Sequence, residues 1–143
     1  MSLPLQGIRV IELAGLAPAP FAGMMLADYG ATVIRVDRAV DFSTDVLNRH
    51  KRSIALNLKN PEAVVMLKRL LRDSDVLLDP YRPGVLESMG LGPDVLLKDN
   101  PRLIIGRLSG YGQTGDWSKR AGHDINYLAI SGALSVSSLY SVH

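Results

Sequence analysis

β-branched runs that alternate with helical segments along 143 residues predict an α/β domain with a largely parallel sheet. Three observations carry this reading. The run Ile8-Arg9-Val10-Ile11-Glu12-Leu13, closed by Ala14-Gly15, has the composition of a strand. Similar runs recur at residues 32–36, 53–58, 75–78 and 103–108. Helix signals fall between several of them.

The elements follow in order. After the first strand, Leu16-Ala17-Pro18-Ala19 reads as a loop, and Pro20 suits the first turn of a helix whose small and apolar residues 21–27 indicate burial on most sides. Gly30 ends it. A second helix has the clearest signature: Asn60 as N-cap, Pro61 at the first helical position, and Glu62 at the positive end of the helix dipole. Ala63, Met66, Leu67 and Leu70 fall at i, i+3, i+4 and i+7, with Lys68, Arg69 and Arg72 off that stripe. Short helices are expected from Pro83-Gly84 and from Pro93-Asp94, the latter stopped by Asn100-Pro101. No linker rich in Gly, Ser or Pro interrupts the chain, so no internal domain boundary is drawn.

Composition narrows the function classes. With 47% hydrophobic and 21% charged residues, the chain can bury a core and lacks the signature of disorder. Sixteen Lys and Arg against 14 Asp and Glu give a formal charge of +2, without the concentrated basic face of a nucleic-acid binder. There is no cysteine, so disulfides and thiolate chemistry are excluded. His50, His123 and His143 lack metal-ligand spacing, and no metal is expected. The uncharged stretch 13–27 falls short of the roughly 20 residues of a membrane span and contains Pro18 and Pro20. No basic leader precedes an apolar block, so a soluble, intracellular chain is expected.

Open parallel sheets bind ligands at the carboxyl ends of their strands. The first strand-to-helix loop carries neither GxGxxG nor GxxxxGK[ST], which disfavours a nicotinamide or ATP enzyme. Arg38, Arg49, Lys51, Arg52, Lys59 and Arg82 form a basic set, several of them just after expected strands. The set reads either as a solvated face or as a site for a phosphate-rich ligand, and only strand-end placement favours the second. Gly122-His123-Asp124-Ile125-Asn126-Tyr127 follows the glycine-rich segment 110–115. His123 there is either a general base at the start of a helix or an ordinary polar residue with Asp124 as the cap, and adjacency alone favours the latter.

Five blocks in order alter that balance. GIRVIELAGLAPAPFAGMMLADYGATVIRVDR, KRSIALNLK, DVLLDPYRPGVLESMGLGP, NPRLIIGRLSGYGQTG and AGHDINYLAISG resemble successive blocks of the family III CoA-transferase and racemase group. GHDINYLA is similar to the α-methylacyl-CoA racemases in particular; the transferases of the group usually carry another residue at position 123. The resemblance implies a Rossmann-like large domain and, for full-length members, an interlocked homodimer. It implies that Arg38 and Leu56, Asn57, Leu58 and Lys59 hold the adenine-nucleotide end of CoA, and that Arg82 contacts phosphate. Gly122, Asp124, Ile125, Asn126 and Tyr127 would surround the thioester, with His123 one of two acid/base residues. The implied substrate is an acyl-CoA, a branched fatty or bile-acid thioester, and no separate cofactor is required because CoA is part of the substrate.

The sequence departs from that pattern in three places. His50 replaces the usual glycine before Lys51-Arg52-Ser53, a strained substitution if φ is positive there. Asn57 stands where relatives commonly have Asp. The second acid/base residue, an aspartate by resemblance, is expected beyond residue 143, and residues 135–143, SVSSLYSVH, no longer follow the family. Residues 1–135 are therefore expected to be the N-terminal part of a CoA-binding large domain and 136–143 a divergent, disordered tail, as of a truncated isoform. The 143 residues alone are expected to lack racemase activity. Alternatives are a non-catalytic CoA-binding or subunit-interaction fragment, and a family III CoA-transferase. By family the compartment is the peroxisome or mitochondrion, though Tyr-Ser-Val-His is not an SKL-type ending.

Overall fold

A computed structural model describes residues 2–38 and 46–139. Its centre is a five-stranded sheet in the order β3-β2-β1-β4-β5, with every pairing parallel. The strands are β1 (Arg9–Leu13), β2 (Thr32–Asp37), β3 (Arg52–Ala55), β4 (Val76–Asp79) and β5 (Ile104–Arg107). The helices are α1 (Pro18–Asp28), α2 (Pro61–Arg72), α3 (Val85–Ser88), α4 (Pro93–Asp99), α5 (Asp124–Ile130) and α6 (Ala133–Leu139). This is the α/β architecture with a parallel sheet that the alternating elements imply.

Strand alternation divides the core in two. Val10, Val33 and Leu78 meet Ala27 of α1 on one face. Ile11, Leu13, Val36 and Leu77 meet Leu67 and Leu71 of α2, Leu86 of α3 and Leu96 of α4 on the other. Because both faces are covered, β1 reads as an almost continuous apolar run, as central parallel strands do.

Local chemistry sets the helix ends. Asn60 caps α2 through Oδ1, which accepts the Glu62 amide at 3.0 Å. Pro18 and Pro20 both lie in the first turn of α1, so that helix starts two residues ahead of the expected Pro20. The buried stripe of α2 is centred on Leu67 and Leu71, with Ala63, Val64 and Leu70 beside them, while Met66 is half exposed. The expected stripe is thus rotated slightly: an i+4 step from Leu67 selects Leu71, and Met66 falls at the solvent border.

Strand ends shift for identifiable reasons. Ile8 donates its amide to Leu5 in a turn, so β1 starts at Arg9. β3 ends at Ala55 rather than Leu58. The Leu56 amide still bonds Asp37, but Asn57 then captures the Lys59 amide on its side chain and the Asn60 amide on its carbonyl, closing a turn. β4 begins one residue late, because the Asp75 side chain accepts the Arg9 amide at the sheet's amino edge. The helix α6 continues into the segment expected as a tail from 136, so its first residues are helical; residues 140–143 lie outside the described residues.

A charged residue occupies the middle of the sheet. Glu12 of β1 is fully buried on the α1 side and accepts from Lys51 Nζ at 2.6 Å; the Lys51 side chain is 2% exposed. Nζ also donates to the Pro20 carbonyl in α1, at 2.8 Å. Arg35, the register partner of Glu12 on β2, lies 3.8 Å from the same carboxylate and donates to Asp37 and to Asn48. Gly23 makes room for this arrangement, since a Cβ there would overlap the Glu12 carboxylate. The ion pair therefore ties β1, β2, α1 and the approach to β3.

His50, next to Lys51, has φ of +60°. The left-handed conformation that would strain a residue other than glycine is thus present at His50. Arg49 beside it grips Asp28 at the end of α1 with two donors, one from Nε at 2.9 Å. That guanidinium holds the Asp28 carboxyl below its ordinary range.

Two stability measurements test this account. Lys51→Ala leaves the Glu12 charge uncompensated in the core and is expected to cost about 3–5 kcal/mol, read from urea unfolding. His50→Gly removes left-handed strain and is expected to add about 1 kcal/mol; an unchanged urea midpoint would count against strain at that turn.

Candidate functional site

Parallel pairing places every strand's carboxyl end on one edge. Arg38 follows β2, Leu56 to Lys59 follow β3, Arg82 follows β4, and His123 opens α5 after the segment leaving β5. The edge thus carries Lys59 and Arg38 on neighbouring strands and, across β1, Arg82, while His123 lies on the chain that continues from β5. With strands about 4.8 Å apart, β3 to β4 spans roughly 14 Å. That edge suits an elongated ligand.

The basic set divides. Arg38, Lys59 and Arg82 are exposed and make no side-chain ion pair among the described residues. Lys51 is buried against Glu12 and Arg49 pairs with Asp28, so for these two the choice left open by the sequence resolves to internal ion pairs. Arg52 is exposed but starts β3, pairing in register with Ile34, and so lies away from the carboxyl edge. Charge type alone does not separate these roles; burial and register do.

The 56–59 segment is a turn. Leu56 is buried and Leu58 packs against the core, so their side chains face inward and only their backbone is placed to meet a ligand. Asn57 Oδ1 accepts the Lys59 amide at 3.2 Å. An aspartate would accept the same bond, so the Asn57 departure preserves the turn.

Around β4 the packing is unusually close. A Cβ on Gly15, just after β1, would overlap the Pro80 ring. The two loops flanking the topological switch between β1 and β4 therefore touch, where a Rossmann dinucleotide site would have an open crevice. Asp79, fully buried, accepts the Tyr81 amide on Oδ1 at 2.9 Å and Arg107 Nε on Oδ2 at 3.0 Å. Arg107 also donates through Nη1 and Nη2 to Glu87 of α3, at 2.7 and 3.2 Å. Burial pushes the Asp79 carboxyl above its usual range despite these bonds, while Arg107 holds Glu87 below its own.

The 110–127 region is built on aromatics. The Tyr127 ring stands edge-on to Tyr111 at 5.1 Å, and Tyr111 meets Trp117 at 5.5 Å, with Arg120 over the Trp117 ring at 5.2 Å. Tyr127 donates its hydroxyl to the Gly122 carbonyl at 2.9 Å. A Cβ on Gly110 or Gly122 would collide with that ring, so both glycines are required by close approach. This cluster fixes α5 against the segment leaving β5.

His123 is the N-cap of α5 and Asp124 its first residue, so Asp124 does not act as the cap. The Asn126 side chain accepts the His123 amide at 2.8 Å, and the Asn126 amide returns to the His123 carbonyl at 2.9 Å. Both residues are exposed, and no bond joins the His123 and Asp124 side chains among the described residues. Ile125 is exposed on the same helix. His123 is thus an exposed residue whose backbone is held by Asn126. Among the described residues, no group of three or more His, Asp or Glu could hold a metal ion, and no helix is long and apolar enough to cross a membrane.

Comparison with known proteins gives the family. The sequence model of CoA-transferase family III matches residues 5–140. The chain belongs to that family. It is 59% identical to the alpha-methylacyl-CoA racemase of Mus musculus over 92% of its length, and 56% identical to that of Homo sapiens over 93%. These matches cover 34% and 35% of those proteins, so the chain spans about a third of the relatives' length. A CaiB/BaiF family protein from Brucella suis superposes with a TM-score of 0.83 at 31% identity, covering 92% of this chain and 40% of that one. The Rossmann-like part of a family III fold, expected from the sequence, is therefore the fold observed.

Asp79 gives a pH prediction. Its folded pKa is raised, so it binds more protons folded than unfolded, and its contribution to stability falls as pH rises from the ordinary carboxyl value through the raised one. The stability difference, wild type minus Asp79→Asn, is expected to decrease between about pH 4 and neutrality. Urea titrations across that range read it; a difference that grows with pH would refute the sign.

Proposed function

We propose that these residues form the CoA-binding part and one of the two proton-transfer groups of a 2-methylacyl-CoA racemase. The carrying observation is the order along the chain and sheet edge: exposed cations after β3, β2 and β4 that make no ion pair among the described residues, and an exposed histidine after β5. Lys59, Arg38 and the 56–59 backbone would meet the adenine-nucleotide end, and Arg82 a phosphate. The pantetheine would then run toward α5, bringing the thioester to His123.

The chemistry follows from the substrate. The proton beside a thioester is weakly acidic, so removal needs a base near neutral pKa and donors for the enolate oxygen. Imidazole is suited by its unperturbed pKa, about 6.5. Inversion without a cofactor requires a second group on the opposite face of the planar enolate. His123 takes or returns the proton on one face. The partner group, an aspartate by family resemblance, would come from beyond residue 143, which makes racemisation by the 143 residues alone unexpected. A soluble homodimer in the peroxisome or mitochondrion is the setting this reading carries.

Titration with CoA and a proton-exchange assay test the two ends separately. Arg38→Ala and Arg82→Ala each remove a charged contact worth about 1.5–3 kcal/mol and are expected to weaken CoA about 10-fold or more. In the longer protein that these residues would form part of, His123→Ala is expected to lower epimerisation by at least about 100-fold with CoA affinity little changed. Acyl exchange between two CoA esters would instead identify a transferase, because a racemase leaves the acyl group on its original CoA.

A further inference from the structure

The geometry points to Asp79 and Arg107 as positioning residues for CoA, acting by setting the turn that presents Arg82. The inference rests on the reading that Arg82 meets a CoA phosphate. No part of that reading uses these two residues.

Asp79 controls both sides of the Arg82 turn. Its Oδ1 accepts the Tyr81 amide, an Asx-type turn that bends the chain immediately ahead of Arg82. Its Oδ2 accepts Arg107 Nε from the neighbouring strand, and its carbonyl accepts the Leu108 amide at 2.8 Å. Beyond the turn, the Arg82 carbonyl accepts the Val85 amide at 3.2 Å as α3 begins. Glu87 on α3 then returns to the Arg107 fork through two bonds. Arg82 therefore sits on a loop clamped at its entry by Asp79 and at its exit by Glu87, with one guanidinium holding both.

All three Arg107 nitrogens donate within the clamp. Arg107 Nε faces Asp79, and Nη1 and Nη2 face Glu87, so this arginine is committed to the clamp rather than offered to a ligand. Arg82, exposed on the turn, makes no ion pair among the described residues. The clamp thus divides two arginines of the same edge into a holder and a presented cation. A planar fork is needed for the three bonds, which a lysine ammonium at position 107 would not reproduce.

A double-mutant cycle with two probes tests the assignment. Dissociation constants for CoA and for phosphate-free pantetheine are measured in wild type, Asp79→Asn, Arg82→Ala and the double variant, with far-UV circular dichroism as the check on folding. Asp79→Asn is expected to weaken CoA about 5-fold or more in the wild-type background and less than about 2-fold once Arg82 is gone. Pantetheine binding should not move, because a phosphate-presenting turn does not act on it. Glu87→Gln, at an exposed position, should show a smaller version of the same pattern, which covers the case in which Asp79→Asn misfolds. Equal weakening of both probes, or an Asp79 effect that survives Arg82→Ala, overturns the positioning role. CoA affinity untouched by Asp79→Asn, with Arg82→Ala still weakening it, overturns it as well and leaves the nucleotide-site reading standing. CoA affinity untouched by Arg82→Ala overturns that reading itself, and this inference with it.

Discussion

A carboxylate in the centre of a parallel sheet constrains everything around it. Glu12 sits fully buried on β1, and its charge is tolerable there only because Lys51 reaches it from the chain entering β3. That reach demands a glycine at position 23, a sharp turn at His50, and the Pro20 carbonyl as a second acceptor. Removing any one strands a charge or closes the space it occupies. The pair fixes where β3 begins, and hence where Leu56 to Lys59 emerge on the carboxyl edge of the sheet.

The second charged cluster acts at that edge. Asp79, Arg107 and Glu87 join the ends of β4 and β5 to α3, as Glu12, Lys51 and Arg35 join β1, β2 and the approach to β3. Each network consumes basic side chains that would otherwise compete for an anionic ligand. What remains presented is a sparse set, Arg38, Lys59 and Arg82, spaced along the edge rather than gathered in one pocket. Contact between Gly15 and Pro80 fits the same arrangement, since it turns the switch point from a crevice into a floor.

Much of this was legible in the residues, for reasons that differ by element. Asn60-Pro61-Glu62 announces a helix start because capping is local chemistry, and the structure places the cap on Asn60 Oδ1. The strands announce themselves by β-branched composition, but their ends are set by tertiary hydrogen bonds such as the Leu56 amide to Asp37, which no local pattern contains. For Lys51 the residues alone left a solvated face and a ligand site both open, because a sequence shows charge and not burial. One clue was available: Glu12 interrupts an apolar strand, and a buried acid requires a base. The Asp79 clamp was hidden more deeply, since Arg107 lies 28 residues away and its fork is assigned only by geometry. At His123, the family resemblance named the residue and the structure supplies its setting, a helix N-cap held by Asn126.

Strand order also has a consequence in time. β1 is central and comes first, but its partner β4 enters the ladder at a separation of 66 residues, as the bond from the Arg9 amide to Asp75 marks. At a synthesis rate of about 5–20 residues per second, a nascent β1 waits on the order of 3–13 seconds for that neighbour. Through that interval its backbone edge is open to other chains, the hazard faced by any unpaired apolar strand. The one ionised residue within Val10-Ile11-Glu12-Leu13 then serves as a gatekeeper against aggregation, before Lys51 arrives and turns it into the keystone of the folded sheet.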